Sequence, residues 1–254
     1  MPVCSLLTDF GLADGFVGAM KGVLATRAPG VQLIDLSHET PPGDIEHGAF
    51  VLAQAAPFFP AGSVHLAVVD PGVGTSREPV VVRHAGALLV GPNNGLFSRL
   101  APAPHDVFVI ANVLWLRPQP SATFHGRDVF APAAAALLAG APPEDAGPRL
   151  PRGRWVRLPA RAPAEAQGGM MGEVVHVDRF GNLITNLPGT AGLLRLSLEP
   201  DGPTLDVVRT YGDAAPGAAL AYVGSSGTLE IGVRDGSATA LLSARRGAPV
   251  RGLR

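Results

Sequence analysis

Four polar residues of the N-terminal half stand where an α/β enzyme would place its chemistry. Asp9 ends a short apolar run, His38 and Glu39 follow a second run, and Asp70 follows a third. Because ligands of open parallel sheets bind outside the carboxyl ends of the strands, these side chains would point toward one edge. Each aspartate alone is equally well explained as a turn residue. Taken together, the set favours a site.

The segment DPGVGTSR, residues 70–77, is the sharpest local feature. Its glycines permit a tight turn, but the spacing of a phosphate-binding loop is absent. A loop that doubles back would pair Asp70 with Arg77, either as a structural ion pair or to keep a catalytic carboxylate ionised. His125, in TFHGRDVF, is well placed for a pocket ahead of an alanine-rich helix. We expect Asp128 to cap that helix.

Two segments of the C-terminal half could bind a ligand, DRFGNLITN at 178–186 and GSSGTLEI at 224–231. Asn182 offers an amide donor and acceptor that suit the edge of a purine. Ser225 lies in a glycine-flanked turn whose N–H groups suit a carboxylate. On the residues alone, ordinary hairpin turns explain both segments better.

The elements that would position these residues alternate between strand and helix. Buried-strand patterns, several of them nearly all apolar, occur in the ranges 3–7, 31–36, 64–69, 80–83, 87–90 and 107–111, and helical patterns occur in 14–24, 45–56 and 128–139. This alternation predicts an α/β domain with a mainly parallel sheet. After residue 171 the short runs between turns predict a small β-barrel or sandwich. We expect an N-terminal α/β domain at 1–150, a linker at 151–168 and a C-terminal β-barrel domain at 169–254.

Composition excludes several classes of function. The 254 residues carry a formal charge of -1, so the sequence lacks the excess of positive charge that binds nucleic acid or an anionic membrane. No segment approaches the roughly 18 apolar residues of a membrane span, and the N-terminus does not read as a signal peptide. A single cysteine, Cys4, excludes an intrachain disulfide, and the histidines have no metal-ligand spacing. We expect a soluble, cytoplasmic protein without a metal or cofactor.

Seven motifs, in this order, carry a resemblance that covers nearly the whole chain: LLTDFGLADGFVGAMKGVL, DLSHETPPGDIEHGAFVL, AVVDPGVGTSR, VGPNNGLFSRL, TFHGRDVFAPAAA, VDRFGNLITN and GSSGTLEIG. Together they closely resemble the S-adenosylmethionine hydroxide adenosyltransferases, the adenosine-forming hydrolases related to fluorinase and chlorinase. The resemblance implies an N-terminal α/β domain, a C-terminal β-barrel, and a homotrimer with each ligand held between two subunits. It implies hydrolysis of S-adenosyl-L-methionine to adenosine and L-methionine, without a metal.

The same resemblance implies roles for individual residues. The catalytic set of the hydrolytic branch falls on Asp70, Arg77 and His125. Our hypothesis is that these residues hold a water in line with the carbon–sulfur bond, with Asp70 or His125 as the base. The substrate-binding residues it implies are Asp9 for the ribose diol, Asn182, Glu230 and Val233 for adenine, Asp178 and Ser225 for the methionine end, and Phe180 and Tyr211 as aromatic walls.

Several departures from the halogenases argue against halide use. The halogenases carry a tyrosine where this chain has Asp70, fluorinase has a serine at the position of Gly126, and the halogenase loop inserted before PNNG is short here. Three alternatives remain open on the sequence. They are a halide-using adenosyltransferase, a metal-dependent hydrolase of another nucleotide-like substrate built on Asp9, Asp70 and His125, and a module that binds adenosine without turnover.

Overall fold

The structure is a computed structural model that describes residues 2–159 and 161–254. Its contacts divide the chain into two compact units on either side of the Leu158–Pro159 bond. The stretch predicted as a linker is shared between them. In the first unit the Val156 N–H donates to Asn93 (3.0 Å), while beyond the boundary Arg161 forms an ion pair with Glu173 (3.0 Å).

A six-stranded sheet forms the centre of the first unit. Its strands are β1 (Val3–Thr8), β2 (Gln32–Ser37), β3 (Val64–Val68), β4 (Pro79–His84), β5 (Ala87–Pro92) and β6 (Asp106–Val109). They lie in the order β2-β1-β3-β5-β4-β6. The pairs β1/β2, β1/β3 and β3/β5 are parallel, and β4 pairs antiparallel with both β5 and β6. The prediction of a mainly parallel sheet is therefore confirmed.

Helices cover both faces of this sheet, which explains why its central strands β1 and β3 are buried on both sides. The helices are α1 (Phe16–Arg27), α2 (Ile45–Ala55) and α3 (Ala131–Leu138). Successive β1 residues alternate between two cores: Leu6 packs with residues of α1 and α3, and Leu7 packs with residues of α2. Asp44 caps the N-terminus of α2, because its side chain accepts the His47 N–H (3.0 Å).

The expectation that Asp128 caps the alanine-rich helix is wrong. A wide π-helical turn, Gly126–Phe130, precedes α3, so the helical segment begins two residues earlier than predicted. Asp128 lies inside this turn, 2% exposed, and its carboxylate accepts hydrogen bonds from the Ser121 N–H (2.9 Å) and from Arg127 Nε (2.7 Å). The carboxylate therefore fixes the loop that leads to His125 instead of capping a helix.

Cys4 on β1 is fully buried in the core between the sheet, α1 and α3. Burial raises the pKa of its thiol to about 12. The thiol is thus protonated and inaccessible, which identifies Cys4 as a packing residue.

The second unit is a closed β-barrel with one short additional strand. Its strands are β7 (Ala164–Ala166), β8 (Gly169–Val177), β9 (Leu183–Pro188), β10 (Arg195–Leu198), β11 (Thr204–Val208), β12 (Ala219–Val223), β13 (Thr228–Val233) and β14 (Pro249–Leu253), and a short helix, α4 (Ala238–Leu242), follows β13. Seven strands, β8 to β14, close the barrel through the β8/β14 pairing, and β7 adds to β8. The predicted β-barrel is confirmed, with one parallel pair, β11/β12, among antiparallel ones.

None of the helices within the described ranges is long and apolar enough to cross a membrane.

Candidate active site

The loop after β3 brings Asp70 and Arg77 together. Arg77 Nε lies 2.9 and 3.0 Å from the two carboxylate oxygens of Asp70, and Nη2 also donates to Asp70. The two side chains are only 4% and 9% exposed. A planar guanidinium that binds both carboxylate oxygens fixes the orientation of the carboxylate. The loop therefore doubles back as the sequence allowed.

A close approach of two backbones holds this loop against the segment that carries His125. Gly74 has a φ of +78°, and a Cβ at this position would lie 2.7 Å from the carbonyl oxygen of Ala122. Only glycine satisfies both the left-handed conformation and the contact. Gly74 therefore seats the Asp70–Arg77 loop beside residues 122–125.

Arg77 also binds His125, so the three residues form one connected group. Its Nη2 lies 2.8 Å from Nδ1 of His125. Because a guanidinium has only hydrogens to offer, Nδ1 accepts, and we assign the ring as neutral with its hydrogen on Nε2. Burial and the charge of Arg77 lower the pKa of His125 below its ordinary value, despite the opposing charges of Asp70 and Asp128.

The Arg77 guanidinium also packs against an aromatic ring and keeps one nitrogen without a partner among the described residues. Its carbon lies 5.1 Å from the centroid of the Phe130 ring, a cation–π contact. Nη1 is buried and has no hydrogen-bond partner among the described residues. Buried donors in proteins are normally satisfied, so Nη1 is a candidate donor to a bound oxygen atom.

Asp9 lies at the end of β1, close to the loop that carries Asp70. Its Oδ2 accepts the N–H of Gly43 (2.8 Å). A Cβ on Gly43 would lie 3.7 Å from the side chain of Pro71, the residue after Asp70. The predicted ribose ligand and the predicted catalytic carboxylate are thus linked through neighbouring loops of one unit.

The second unit contains a pocket of about 850 Å³. Every binding residue that the resemblance implies in this half of the chain lines it: Asp178, Phe180, Asn182, Tyr211, Ser225, Glu230 and Val233. Phe180 is 76% exposed. An aromatic ring this accessible can serve as a wall for a planar ligand.

The turn after β8 holds Asn182 in one orientation. Asp178 accepts the backbone N–H groups of Phe180 and Asn182 through Oδ1, both at 2.9 Å, and the side-chain amide of Asn182 through Oδ2 at 2.7 Å. One hydrogen of the Asn182 side-chain nitrogen is therefore donated to Asp178, and Oδ1 is the atom that faces Gly232, 3.0 Å from where a Cβ would lie. Asp178 acts on the pocket by orienting Asn182.

A chain of hydroxyl groups links Tyr211 to a buried carboxyl group. Tyr222 donates to Glu230 Oε2 (2.7 Å), and its hydroxyl lies 2.7 Å from that of Tyr211. Burial raises the pKa of Glu230 despite the hydrogen bond from Tyr222. Tyr222 was missed at the sequence level. It lies in the ordinary apolar strand ALAYV, and nothing in that pattern marks it.

Acidic and imidazole groups do not gather into a metal centre in the part of the chain that the structure describes. Its His, Cys, Asp and Glu side chains form no group of three or more with the geometry to hold a metal ion. Asp9, Asp70 and His125, the ligands of the metal-dependent alternative, are therefore not arranged as one.

Known proteins resemble this chain along its whole length. A protein named (R)-S-adenosyl-L-methionine hydrolase from Salinispora arenicola is 46% identical over 98% of this chain and 97% of its own, and its namesake from Thermus thermophilus is 45% identical over 96% and 97%. The crystal structure of an uncharacterized conserved protein from Thermotoga maritima superposes with a TM-score of 0.93, at 34% identity, covering 99% of this chain and all of that one.

The family models match both units. The model for the N-terminal domain of the SAM hydroxide adenosyltransferases matches residues 4–147, and the model for their C-terminal domain matches residues 172–251. Together they cover well over half of the chain. The protein therefore belongs to the SAM hydroxide adenosyltransferase family.

Proposed function

We propose that this protein hydrolyses S-adenosyl-L-methionine to adenosine and L-methionine, by attack of a water molecule on the 5′ carbon of the ribose. The names of the relatives from Salinispora and Thermus support the choice of substrate. The observation that carries the mechanism is the group in which Arg77 binds both Asp70 and His125.

In this reaction the leaving group departs without assistance, whereas the nucleophile, a water molecule, must be oriented and deprotonated. The oxygen–carbon bond forms as the carbon–sulfur bond breaks, and the sulfonium takes the electron pair to become the neutral thioether of methionine. This departure needs neither a proton nor a Lewis acid, so the reaction is proposed to proceed without a metal. A chelator is then expected to leave the rate unchanged. The difficult part is to orient one water molecule and remove its proton.

The tautomer of His125 supports different roles for the two candidate bases, His125 and Asp70. Nδ1 already accepts a hydrogen bond from Arg77, so the free nitrogen, Nε2, carries a hydrogen and donates to the water oxygen. Asp70 retains lone pairs beyond those that Arg77 uses and accepts the proton of the water. Arg77, with its buried and unpartnered Nη1, stabilises the developing hydroxide charge.

Substrate binding is assigned to the other predicted residues. Asp9 binds the ribose hydroxyls, Asn182 with Glu230 and Val233 binds adenine, and Phe180 and Tyr211 flank the base. Asp178 and Ser225 are assigned to the methionine end, although Asp178 already accepts three hydrogen bonds from its own turn.

The surroundings of Gly126 support water over halide as the nucleophile. A Cβ at this buried position would lie 3.1 Å from the sulfur of Met20 and 3.3 Å from the rings of Phe10 and Phe124. A serine there, as in fluorinase, would require these three side chains to move. The chain therefore lacks this serine, and a side chain at this position would crowd its neighbours.

We further propose that the protein is a cytoplasmic homotrimer, in which the first domain of one subunit and the second domain of its neighbour share each substrate molecule. This assembly follows from the family resemblance. It is supported by the division of the proposed residues into a catalytic set in the first unit and a pocket in the second.

The test is to replace Asp70 and His125 separately by alanine. Asp70→Ala and His125→Ala should each abolish release of adenosine from S-adenosyl-L-methionine while adenosine still binds, as measured by calorimetry. Turnover at the wild-type rate by both variants would refute the assignment. Wild-type protein that binds adenosine but leaves the substrate intact would indicate a binding module instead of an enzyme.

A further inference from the structure

His38 lies at the end of β2 and connects to both sides of Asp9. Its Nδ1 is 2.8 Å from the hydroxyl of Thr8, and both side chains are buried. That hydroxyl also accepts the N–H of Phe10 (3.3 Å), and the carbonyl of His38 accepts the N–H of Gly11 (2.8 Å). Thr8 and Gly11, which lie on either side of Asp9 in the sequence, are therefore both hydrogen-bonded to His38.

The opposite side of the imidazole faces a carboxylate that is itself held in place. Nε2 lies 3.0 Å from Asp35, in a bent contact outside hydrogen-bond geometry, and Asp35 forms an ion pair with Lys21 (2.6 Å). Although partial burial raises the pKa of Asp35, the hydrogen bond from Lys21 and the neighbouring His38 imidazole hold it below its ordinary value. The carboxylate favours a hydrogen on Nε2. Nδ1 then accepts from Thr8, whose oxygen is left to accept from Phe10.

This arrangement determines where the Asp9 carboxylate points. Oδ2 of Asp9 accepts the Gly43 N–H, and Oδ1 has no hydrogen-bond partner in the described part of the chain. A carboxylate with one oxygen fixed and one free is suited to binding vicinal hydroxyls. We propose that His38 is a positioning residue that, by holding Thr8, sets Asp9 for the two hydroxyls of the ribose. The inference rests on the proposed function, which places a nucleoside at Asp9.

The same sheet contains a matched pair without this connection. On β1 and β3, the Ser5 hydroxyl lies 2.7 Å from Nδ1 of His65, and both residues are 1% exposed. This pair also joins a strand hydroxyl to a buried imidazole on a neighbouring strand, but it lies in the sheet interior, away from the proposed site residues. His65→Ala therefore controls for the loss of a buried histidine as such.

The experiment measures the affinity of two ligands, adenosine and 2′,3′-dideoxyadenosine, by calorimetry. His38→Ala should weaken adenosine binding about tenfold, the loss expected for one disturbed hydrogen bond to a charged group, and should leave the dideoxy compound unchanged. In an Asp9→Asn background the same substitution should change adenosine affinity less than twofold, because the two residues act through one contact. His65→Ala should keep both affinities. His38→Gln, which can donate to Asp35 and accept from Thr8, should restore most of the binding.

Equal weakening of both ligands, or a His38→Ala effect that adds in full to that of Asp9→Asn, would make His38 merely structural and overturn the inference. If His38→Ala does not fold, Thr8→Val keeps the side-chain volume and should show the same selective loss; unchanged adenosine affinity in that variant would overturn the inference too. Wild-type protein that neither binds adenosine nor cleaves the substrate would overturn the proposed function and the role of His38 with it.

Discussion

Replacement of Arg77 by lysine separates the charge of this residue from its shape. Lysine keeps the positive charge beside Asp70, but its single nitrogen cannot bind both carboxylate oxygens and His125 at once. Three N–H groups of Arg77 make these contacts, the Nε–H and one Nη2–H to Asp70 and the other Nη2–H to His125, and the lysine retains one contact, with Asp70. The bond to His125 and the second bond to Asp70 are lost.

The size of the effect follows from those two bonds. At about 1.5 kcal/mol for each hydrogen bond to a charged group, the loss is about 3 kcal/mol, which corresponds to roughly 100-fold in kcat. KM should change less than threefold, because Arg77 is assigned to the nucleophile and not to the substrate. Arg77→Met would instead leave Asp70, 4% exposed, as a buried unpaired charge, and should destabilise the fold by about 3–5 kcal/mol.

The assay is chromatographic measurement of adenosine release, with adenosine affinity and thermal unfolding measured on the same preparations. Arg83→Lys is the matched control, since Arg83 forms its ion pairs with Asp106 and Glu144 at the surface, and it should leave kcat unchanged. A lysine variant with the wild-type kcat would refute the reasoning. So would a variant whose activity falls only in step with its adenosine affinity.

Three further outcomes are expected. Co-expressed Asp70→Ala and Asn182→Ala subunits, each inactive alone, should recover activity if subunits share sites, whereas a mixture as inactive as its components would exclude sharing. Activity should fall as the pH drops through the lowered pKa of His125, since a proton on Nδ1 displaces Arg77; a midpoint above 6.5 in the pH–rate profile would contradict this. Burial lowers the pKa of His65 to about 4. The unfolded chain therefore takes up a proton first, and about 3 kcal/mol of stability, present above pH 6.5, should be lost as the pH falls toward 4. The free energy of unfolding, measured with denaturant, should depend less on pH in His65→Gln than in the wild type.

The first unit could be predicted well because its central strands are buried on both faces. Nearly continuous apolar runs such as the one at 64–69 are typical of such strands, and the alternation with helices leaves few topologies. The capping of α2 by Asp44 can also be predicted, because an N-cap depends on local sequence. The role of Asp128 cannot be predicted in this way, because its partners come from a loop whose path depends on tertiary packing.

The proposed site was only partly accessible from the residues alone. The spacing of Asp70 and Arg77 indicated an ion pair, but its contact with His125 crosses 48 positions and has no local signal. The sequence of the Gly74 segment predicts a turn but not the close approach to the Ala122 backbone that this glycine permits. Neither the contacts of Tyr222 nor the parallel pairing of β11 with β12 can be predicted from the sequence. The alternation of side chains along a strand does not indicate which strand pairs with it.

The buried thiol of Cys4 makes the chain convenient to label. It is the single cysteine of the sequence, and its raised pKa and full burial keep it from reacting with maleimides. A cysteine introduced at an exposed position such as Leu114 would then be the one site of attachment for a fluorophore. Donor-labelled and acceptor-labelled chains, mixed in solution, would report by energy transfer whether subunits associate and how fast they exchange.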